Sequence, residues 1–184
     1  MNTSYQIKRN DGFTLMELLI VMAIMSILTI IVTGALASSS RRGRDSRRKN
    51  DLQSIATALE SYYNDKGHYP NGQGGVMAGC GMLDEQLCNW GLDFKDSKGT
   101  LYMVFLPKDP TIDQGLYQYY YKSNSGLDFQ LYGKLENTQD QGDGVNQGGY
   151  QGTNCGPNPS STVLCTYVVT SSNLKLAPTP TSGG

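Results

Sequence analysis

Histidine is almost absent from this chain, which has one among its 184 residues. His68 lies in the sequence GHYP, typical of a turn that ends a helix, and no acid and nucleophile accompany it in a triad-like pattern. The sequence also lacks a P-loop, a G-x-S-x-G motif and a dinucleotide-binding fingerprint. We therefore predict that the protein is not an enzyme.

Cysteine pairs with the spacing of metal ligands are missing as well. The four cysteines include no Cys-x-x-Cys pair, which argues against a zinc site. An even number of cysteines downstream of an apolar segment is instead typical of disulfides in an exported protein. Three connectivities are possible, but short loops close most easily. We therefore predict the disulfides Cys80–Cys88 and Cys155–Cys165, with buried free thiols as the alternative.

A strong excess of one charge is also lacking. The chain has 15 lysines and arginines against 16 aspartates and glutamates, a net charge of -1. This balance predicts neither nucleic-acid binding nor an acidic substrate. A local basic cluster lies between Arg41 and Lys49 and is interrupted by Asp45. We interpret this cluster as a solvated or lipid-headgroup-facing helix surface, so no specific nucleic-acid partner is expected.

Long aliphatic side chains are concentrated in residues 13–37 and are scarce elsewhere. As a helix, this run of 25 residues would be about 37 Å long, which exceeds the ~30 Å hydrocarbon thickness of a bilayer. It could be a membrane anchor, or a signal peptide cleaved after Ala35-Leu36-Ala37. Neither interpretation explains Glu17, because an ionisable group inside an apolar segment is costly and usually functional.

Cleavage of the chain between Gly12 and Phe13 would explain Glu17. It would create an α-ammonium group on Phe13, at the tip of the apolar helix. If identical helices packed with an axial offset, Glu17 of one subunit would meet the Phe13 amine of another. Such a buried pair is weak evidence for net stability, but it can set the register between helices. Gly12 would then be the small residue that a peptidase accommodates.

Lys8-Arg9, followed by Gly12-Phe13-Thr14-Leu15-x-Glu17-Leu18-Leu19, resembles the leader and N-terminal signature of type IV pilins and type II secretion pseudopilins. The resemblance implies that a prepilin peptidase cleaves after Gly12 and N-methylates Phe13. It also implies a single-pass precursor in the inner (cytoplasmic) membrane, and later an extracellular filament or a periplasmic pseudopilus. The implied partners are further copies of the chain in a helical homopolymer, the peptidase, an assembly ATPase and an inner-membrane platform protein.

Four functions are compatible with these features, one of them an enzyme or binding protein released by cleavage after Ala37. We favour a structural subunit of a type IV pilus-like extracellular filament, assembled through its hydrophobic helix after leader cleavage. A major pseudopilin of a type II secretion system is the alternative among assembly proteins. A membrane-tethered binding domain that does not polymerise is the alternative from another class.

The expected fold is α+β and pilin-like, with a long N-terminal helix packed on a small antiparallel sheet. The helix is hydrophobic in its first half and amphipathic in its second, where Leu52, Ile55 and Leu59 recur at helical spacing. Gly67 predicts its end. The predicted segments are the leader 1–12, the transmembrane and polymerisation helix 13–37, its amphipathic continuation 38–66, a sheet domain with disulfide loops 67–171, and a flexible tail 172–184.

Strands are predicted where apolar residues alternate with polar ones, in LYMVFLP, GLYQYYYK, LDFQLYGKLE and TVLCTYVVT. In the third of these segments, Leu127, Phe129, Leu131 and Leu135 share one face, and polar residues occupy the other. This pattern predicts a one-sided sheet whose apolar face packs on the helix.

The glycine-rich segment NTQDQGDGVNQGG, residues 137–149, contains Asp140, Asp143 and Asn146. Oxygen ligands in such a loop could hold calcium, although their spacing is not that of an EF-hand. In the major pseudopilins that the chain resembles, a loop after this strand binds calcium, so these three residues are the candidate ligands. A turn-rich surface loop without a metal is the alternative.

Overall fold

The computed structural model describes residues 12–81 and 86–174, and for residues 30–37 it describes the backbone only. Residues 1–11 of the predicted leader and residues 175–184 of the predicted tail lie outside the described residues. The chain divides into two compact units, with the boundary between Ser40 and Arg41.

One helix, α1, runs from Leu15 to Lys66 and contains 52 residues. Thr14 caps its start, because its Oγ1 accepts the backbone N–H of Glu17 at 3.2 Å. Gly67 ends it at a φ of 74°, a left-handed conformation that glycine adopts without strain, and its N–H donates to the carbonyl of Tyr63 at 2.8 Å. The predicted single helix and its glycine stop are therefore confirmed.

The strands are short and all pairings are antiparallel. They are β1 Asn71–Gln73, β2 Val76–Cys80, β3 Gln86–Cys88, β4 Phe94–Lys95, β5 Leu101–Met103, β6 Tyr120–Lys122, β7 Gln130–Gly133 and β8 Tyr167–Thr170. They form three sheets within the described residues, with the strand orders β1-β2-β3, β4-β5 and β6-β7-β8. A 3-10 turn, Ile112–Gln114, lies between β5 and β6. The fold is α+β, as predicted.

The main core forms between the second half of α1 and the sheets. Leu52, Ile55 and Leu59 of α1 are fully buried in one cluster with Phe129 and Leu131. Burying each such side chain contributes roughly 1.5–3 kcal/mol before entropic costs. The amphipathic face that the sequence predicts is thus the face that holds α1 against the sheets.

The prediction of one one-sided sheet is wrong. In β7 successive side chains point to opposite faces, and Leu131 joins the main core while Tyr132 joins a second buried cluster. This second cluster comprises Tyr132, Cys155, Cys165 and Val168, with Tyr120 and Tyr150 packed against it. The segment that carries the second disulfide therefore covers the face expected to meet water.

The predicted strand ends are also wrong. Leu127 is 64% exposed and precedes β7 rather than lying in it. Val104 and Phe105, which continue the apolar pattern of β5, are likewise exposed, and β5 stops at Met103. An apolar pattern indicates which residues could form a strand. The strand itself extends only as far as a neighbouring strand is there to form backbone hydrogen bonds with it.

Both disulfides join cysteines that are close in sequence. Cys80 is bonded to Cys88 and Cys155 to Cys165, with sequence separations of 8 and 10. This is the pairing that short-loop closure favours.

Replacing Cys155 and Cys165 together by serine is expected to lower the free energy of unfolding by about 3 kcal/mol, because the loop they close is then unconstrained in the unfolded chain. Urea unfolding of the full chain in detergent micelles measures the loss, with the reduced wild type as control. Non-reducing peptide mapping checks the pairing, and a Cys80–Cys155 link would contradict it.

Candidate assembly segment and charged network

The first compact unit displays apolar side chains to the solvent. All described side chains of residues 12–29 are exposed, and Phe13 and Leu15 reach 83% and 87%. A continuous apolar surface of this kind normally marks a site that another molecule or a membrane covers.

The predicted transmembrane segment, residues 13–37, includes residues whose side chains are not described. Among the described residues, no helix has a stretch that is both long and apolar enough to cross a membrane.

Gly12, at the predicted cleavage site, lies in open space. A Cβ atom built on it meets no atom within 4 Å, and its φ is not left-handed. Within the described residues, nothing in the fold therefore requires glycine here.

Glu17 lies at the third residue of α1, and Thr14 caps the helix before it. A Thr-x-x-Glu sequence at a helix start is the pattern of a capping box. The positive end of the helix dipole also favours a carboxylate in the first turn. The structure thus adds a local role to Glu17 that the sequence analysis did not consider, and this role must be separated from the predicted pairing with Phe13.

The second compact unit contains a buried arginine. Arg48 on α1 is fully buried, and its guanidinium donates to both carboxylate oxygens of Asp109 at 2.7 and 3.1 Å. It also donates at 2.8 Å to Asp45 and at 2.8 Å to Glu136. Bidentate pairs of this kind are the strong form of the arginine–carboxylate interaction. Arg48 thereby ties α1 to the loop before the 3-10 turn and to the chain after β7.

Two further residues of α1 complete this charged network. Arg44 donates through two nitrogens to the two carboxylate oxygens of Glu136. The Asp45 carboxylate accepts the backbone N–H groups of Glu136 and Asn137, at 2.9 and 2.8 Å. The backbone N–H groups of Glu136 and Asn137, where the chain leaves β7, are therefore satisfied by a side chain of α1.

The pKa values of the network follow from these contacts. Hydrogen bonds from Arg44, then from Arg48, lower the pKa of Glu136 to about 2, against the opposing effect of its desolvation. Burial by itself would lower the pKa of Arg48, but hydrogen bonds and charge from Asp109, with Glu136 and Asp45, raise it above its ordinary value. Every charge in the network is thus stabilised by an opposite one.

The interpretation of the basic cluster as a solvated or headgroup-facing surface is wrong for Arg48 and Arg44. Arg48 is fully buried, and the side chain of Arg44 is 35% exposed and paired with Glu136. A signal was present in the sequence, because Arg44 and Arg48 continue the helical spacing of Leu52 toward the N-terminus. Basic residues on the apolar face of a helix need buried acidic partners, and the helical pattern alone does not identify them.

Two of the three calcium ligands predicted in residues 137–149, Asp140 and Asn146, are engaged in other contacts. Asp140 accepts the Lys49 ammonium at 2.7 Å and the N–H of Gly142 at 3.0 Å. The side-chain oxygen of Asn146 accepts the N–H of Gly148 at 3.1 Å. Asp143 is exposed. A cation with the charge of Lys49 beside Asp140 does not fit a calcium site.

In the part of the chain that the structure describes, no three His, Cys, Asp or Glu side chains are grouped so that they could hold a metal ion.

Acid should weaken the attachment of the chain after β7. The folded pKa of Glu136, about 2, lies below its ordinary value of 4.5. Its contribution is therefore fully present above about pH 4.5 and is lost as the pH falls through the folded pKa. We expect a loss of no more than about 2 kcal/mol, because the carboxylate is partly screened by solvent.

Urea unfolding between neutral pH and pH 2 tests this expectation. Glu136→Gln should flatten the acid-side decline, whereas Asp93→Asn, which alters a half-exposed carboxylate near Lys95, should leave it unchanged. An acid-side decline of the same size in Glu136→Gln would contradict the assignment.

A long N-terminal helix that begins with an exposed apolar segment and ends against short antiparallel strands defines a pilin-like protein. Residues 7–33 match the family model described as the prokaryotic N-terminal methylation motif, and residues 35–148 match that of the type II secretion system protein G. The chain therefore belongs to the type II secretion system protein G family. This is a family of structural secretion subunits and not a family of enzymes.

Individual relatives agree with this assignment. A type II secretion system core protein G from Pseudomonas aeruginosa is 32% identical over 129 residues, which cover 69% of this chain and 84% of that protein. A type IV major pilin protein PilA from Myxococcus xanthus is 39% identical over 61 residues, 33% of this chain and 28% of that pilin. A core protein G from Aeromonas hydrophila is 30% identical over 73 residues, 40% of this chain and 51% of that protein. No solved structure matches the chain.

Proposed function

We propose that the chain is a subunit of a type II secretion pseudopilus, a helical homopolymer held together by the N-terminal part of α1. The observation that carries the proposal is the exposure of every described side chain in residues 12–29, although most of them are apolar. In a bundle of identical helices these side chains cover one another. An isolated subunit keeps them away from water only in a membrane.

The proposal includes processing before assembly. A prepilin peptidase cleaves between Gly12 and Phe13 and N-methylates Phe13. The match to the N-terminal methylation motif and the open space around Gly12 support this step. After cleavage, the Phe13 amine of one subunit pairs with Glu17 of another and sets their axial offset.

A pseudopilus is favoured over a surface pilus by the extent of the similarity. The match to the Pseudomonas core protein G covers 69% of the chain, whereas the match to the myxococcal pilin covers 33%. A type IV pilus-like extracellular filament remains the second candidate, because that shorter match has the higher identity, 39%.

The proposed location follows from this function. The precursor lies in the inner membrane with its C-terminal unit outside the cytoplasm, where two disulfides can form. An assembly ATPase acts on it through an inner-membrane platform protein, and the assembled pseudopilus lies in the periplasm.

Mass spectrometry of the mature N-terminus tests the processing step. N-methylated Phe13 supports the proposal, an intact Met1 supports a tethered domain that does not polymerise, and an N-terminal Ser38 supports a secreted protein released by signal peptidase. Gly12→Val is the informative variant, since the described fold has space for a side chain at this position. It should retain the leader and fail to assemble while the C-terminal unit unfolds at the wild-type temperature.

A gene deletion distinguishes a secretion pseudopilus from a surface pilus. Deletion of the gene should abolish secretion of type II substrates and leave surface pili intact. Loss of sheared surface filaments with normal secretion would instead support the pilus.

A further inference from the structure

The loop of residues 137–149 packs on β8 through its backbone. The N–H of Asn146 donates to the carbonyl of Thr166 at 2.8 Å, and the carbonyl of Gly144 accepts the N–H of Val168 at 2.9 Å. Gly144 has a φ of 73°, and a Cβ on it would lie 2.4 Å from the Val168 oxygen. The loop is therefore closely fitted to the strand, and its conformation has to be held by groups around it.

Lys49 supplies one of these groups from α1. Its ammonium lies 2.7 Å from the carboxylate of Asp140 and 5.4 Å from the centre of the Tyr167 ring on β8. The side chain of Lys49 is 31% exposed and that of Asp140 is 20% exposed. The hydrogen bond from Lys49 also lowers the pKa of Asp140, so the carboxylate is charged at neutral pH. One cation thus joins the helix, the loop and the strand.

Gln147 supplies the second group from inside the loop. Its amide nitrogen donates to the backbone carbonyl of Asp140 at 2.8 Å and to that of Asn137 at 3.1 Å. Backbone carbonyl and carboxylate oxygens are the ligands that a calcium ion gathers in a loop. In this loop, the Asp140 carboxylate and the two backbone carbonyl groups instead accept hydrogen bonds from the nitrogen atoms of Lys49 and Gln147.

We propose that Lys49 and Gln147 perform in this loop the task of a bound cation, so that the loop folds without calcium. Lys49 provides the positive charge for Asp140, and Gln147 bridges the two carbonyl groups. A calcium ion would have to displace a hydrogen-bonded ammonium from Asp140 before it could bind. The lysine belongs to α1, so it also anchors the loop to the helix, which a free ion held by loop oxygens alone would not do.

Thermal unfolding of the full chain in detergent micelles tests the proposal. The wild type is expected to unfold within about 1 °C of the same temperature in millimolar calcium chloride and in EDTA. Lys49→Met keeps the length of the side chain and removes its charge, and it should lower the unfolding temperature by about 2–4 °C in both solutions. The matched control is Lys122→Met, which removes an exposed lysine at the end of β6 and should change nothing.

Hydrogen exchange gives a local readout. In Lys49→Met, peptides from residues 137–149 should exchange about fivefold faster, with the peptides of β1 and β2 unchanged. Gln147→Met should have the same local effect. It provides a separate test of the proposal if Lys49→Met fails to fold.

Two results would overturn the proposal. One is a rise of the wild-type unfolding temperature by more than about 3 °C on addition of calcium. The other is wild-type exchange of the loop in both variants. These measurements use unassembled subunits, so they remain decisive even if the proposed function is wrong.

Discussion

Glu17→Ala is expected to be inserted and cleaved normally but to form at least about tenfold less filament than the wild type. The incoming subunit would lose the carboxylate that pairs with the Phe13 amine, and a loss of about 1.4 kcal/mol at a contact already lowers its equilibrium constant tenfold. The effect should be large because most of the surrounding side chains are apolar, and an ionisable group in such surroundings depends strongly on a charged partner. Quantifying sheared filaments against total cleaved subunit measures the loss.

Two further variants separate the pairing of Glu17 from its place in the capping box. Glu17→Gln retains a residue that completes a capping box but has no charge, so it should fail like alanine if the pairing is ionic. Glu17→Asp keeps the charge and should be partly tolerated. If Glu17→Ala assembles at the wild-type level, the pairing hypothesis is wrong. If Glu17→Gln assembles at the wild-type level while Glu17→Ala and Glu17→Asp do not, the requirement at this position is for helix capping and not for a charge.

Arg48→Met is expected to lower the free energy of unfolding by about 3–5 kcal/mol, the usual cost of removing one partner from a buried ion pair. Asp109 would lose two hydrogen bonds in an environment where its side chain is fully buried, and Asp45 would lose one. Lysine should not restore stability, because an ammonium group cannot make the two parallel bonds of a guanidinium. Urea unfolding of the full chain in detergent micelles measures the change.

The neighbouring arginine is the control. Arg47 is 65% exposed, lies 3.8 Å from Asp51, and should lose no more than about 0.5 kcal/mol on replacement by methionine. An Arg48→Met variant that unfolds like Arg47→Met would show that the network contributes nothing to stability.

Local chemistry accounts for the parts of the structure that the sequence predicted correctly. The helix from Leu15 to Lys66 is stabilised by contacts within a few residues, by a threonine cap at one end and by Gly67 at the other. The disulfides join cysteines separated by 8 and 10 residues, so loop closure alone favoured this pairing. The hairpin of β1 and β2 was also predictable in principle, because Gly74-Gly75 is a typical two-residue turn. Its strands were missed because β1 contains only asparagine, glycine and glutamine, and the apolar residues of β2 do not alternate with polar ones.

By itself, the sequence determined the long helix, its apolar first half, the position of Glu17 and the class of protein, since all of these depend on residue types at short spacing. Only the tertiary structure decided that Arg48 is buried, because Asp109 is 61 residues away and its partnership has no local pattern. The second face of β7 is buried for the same reason, since the chain that covers it arrives from residues 150–168. The contact between Lys49 and Asp140 likewise depends on the tertiary structure, because the two residues are 91 positions apart in the chain and 2.7 Å apart in space. Contacts between distant segments are selected by how the whole chain packs, so spacing within one segment cannot reveal them.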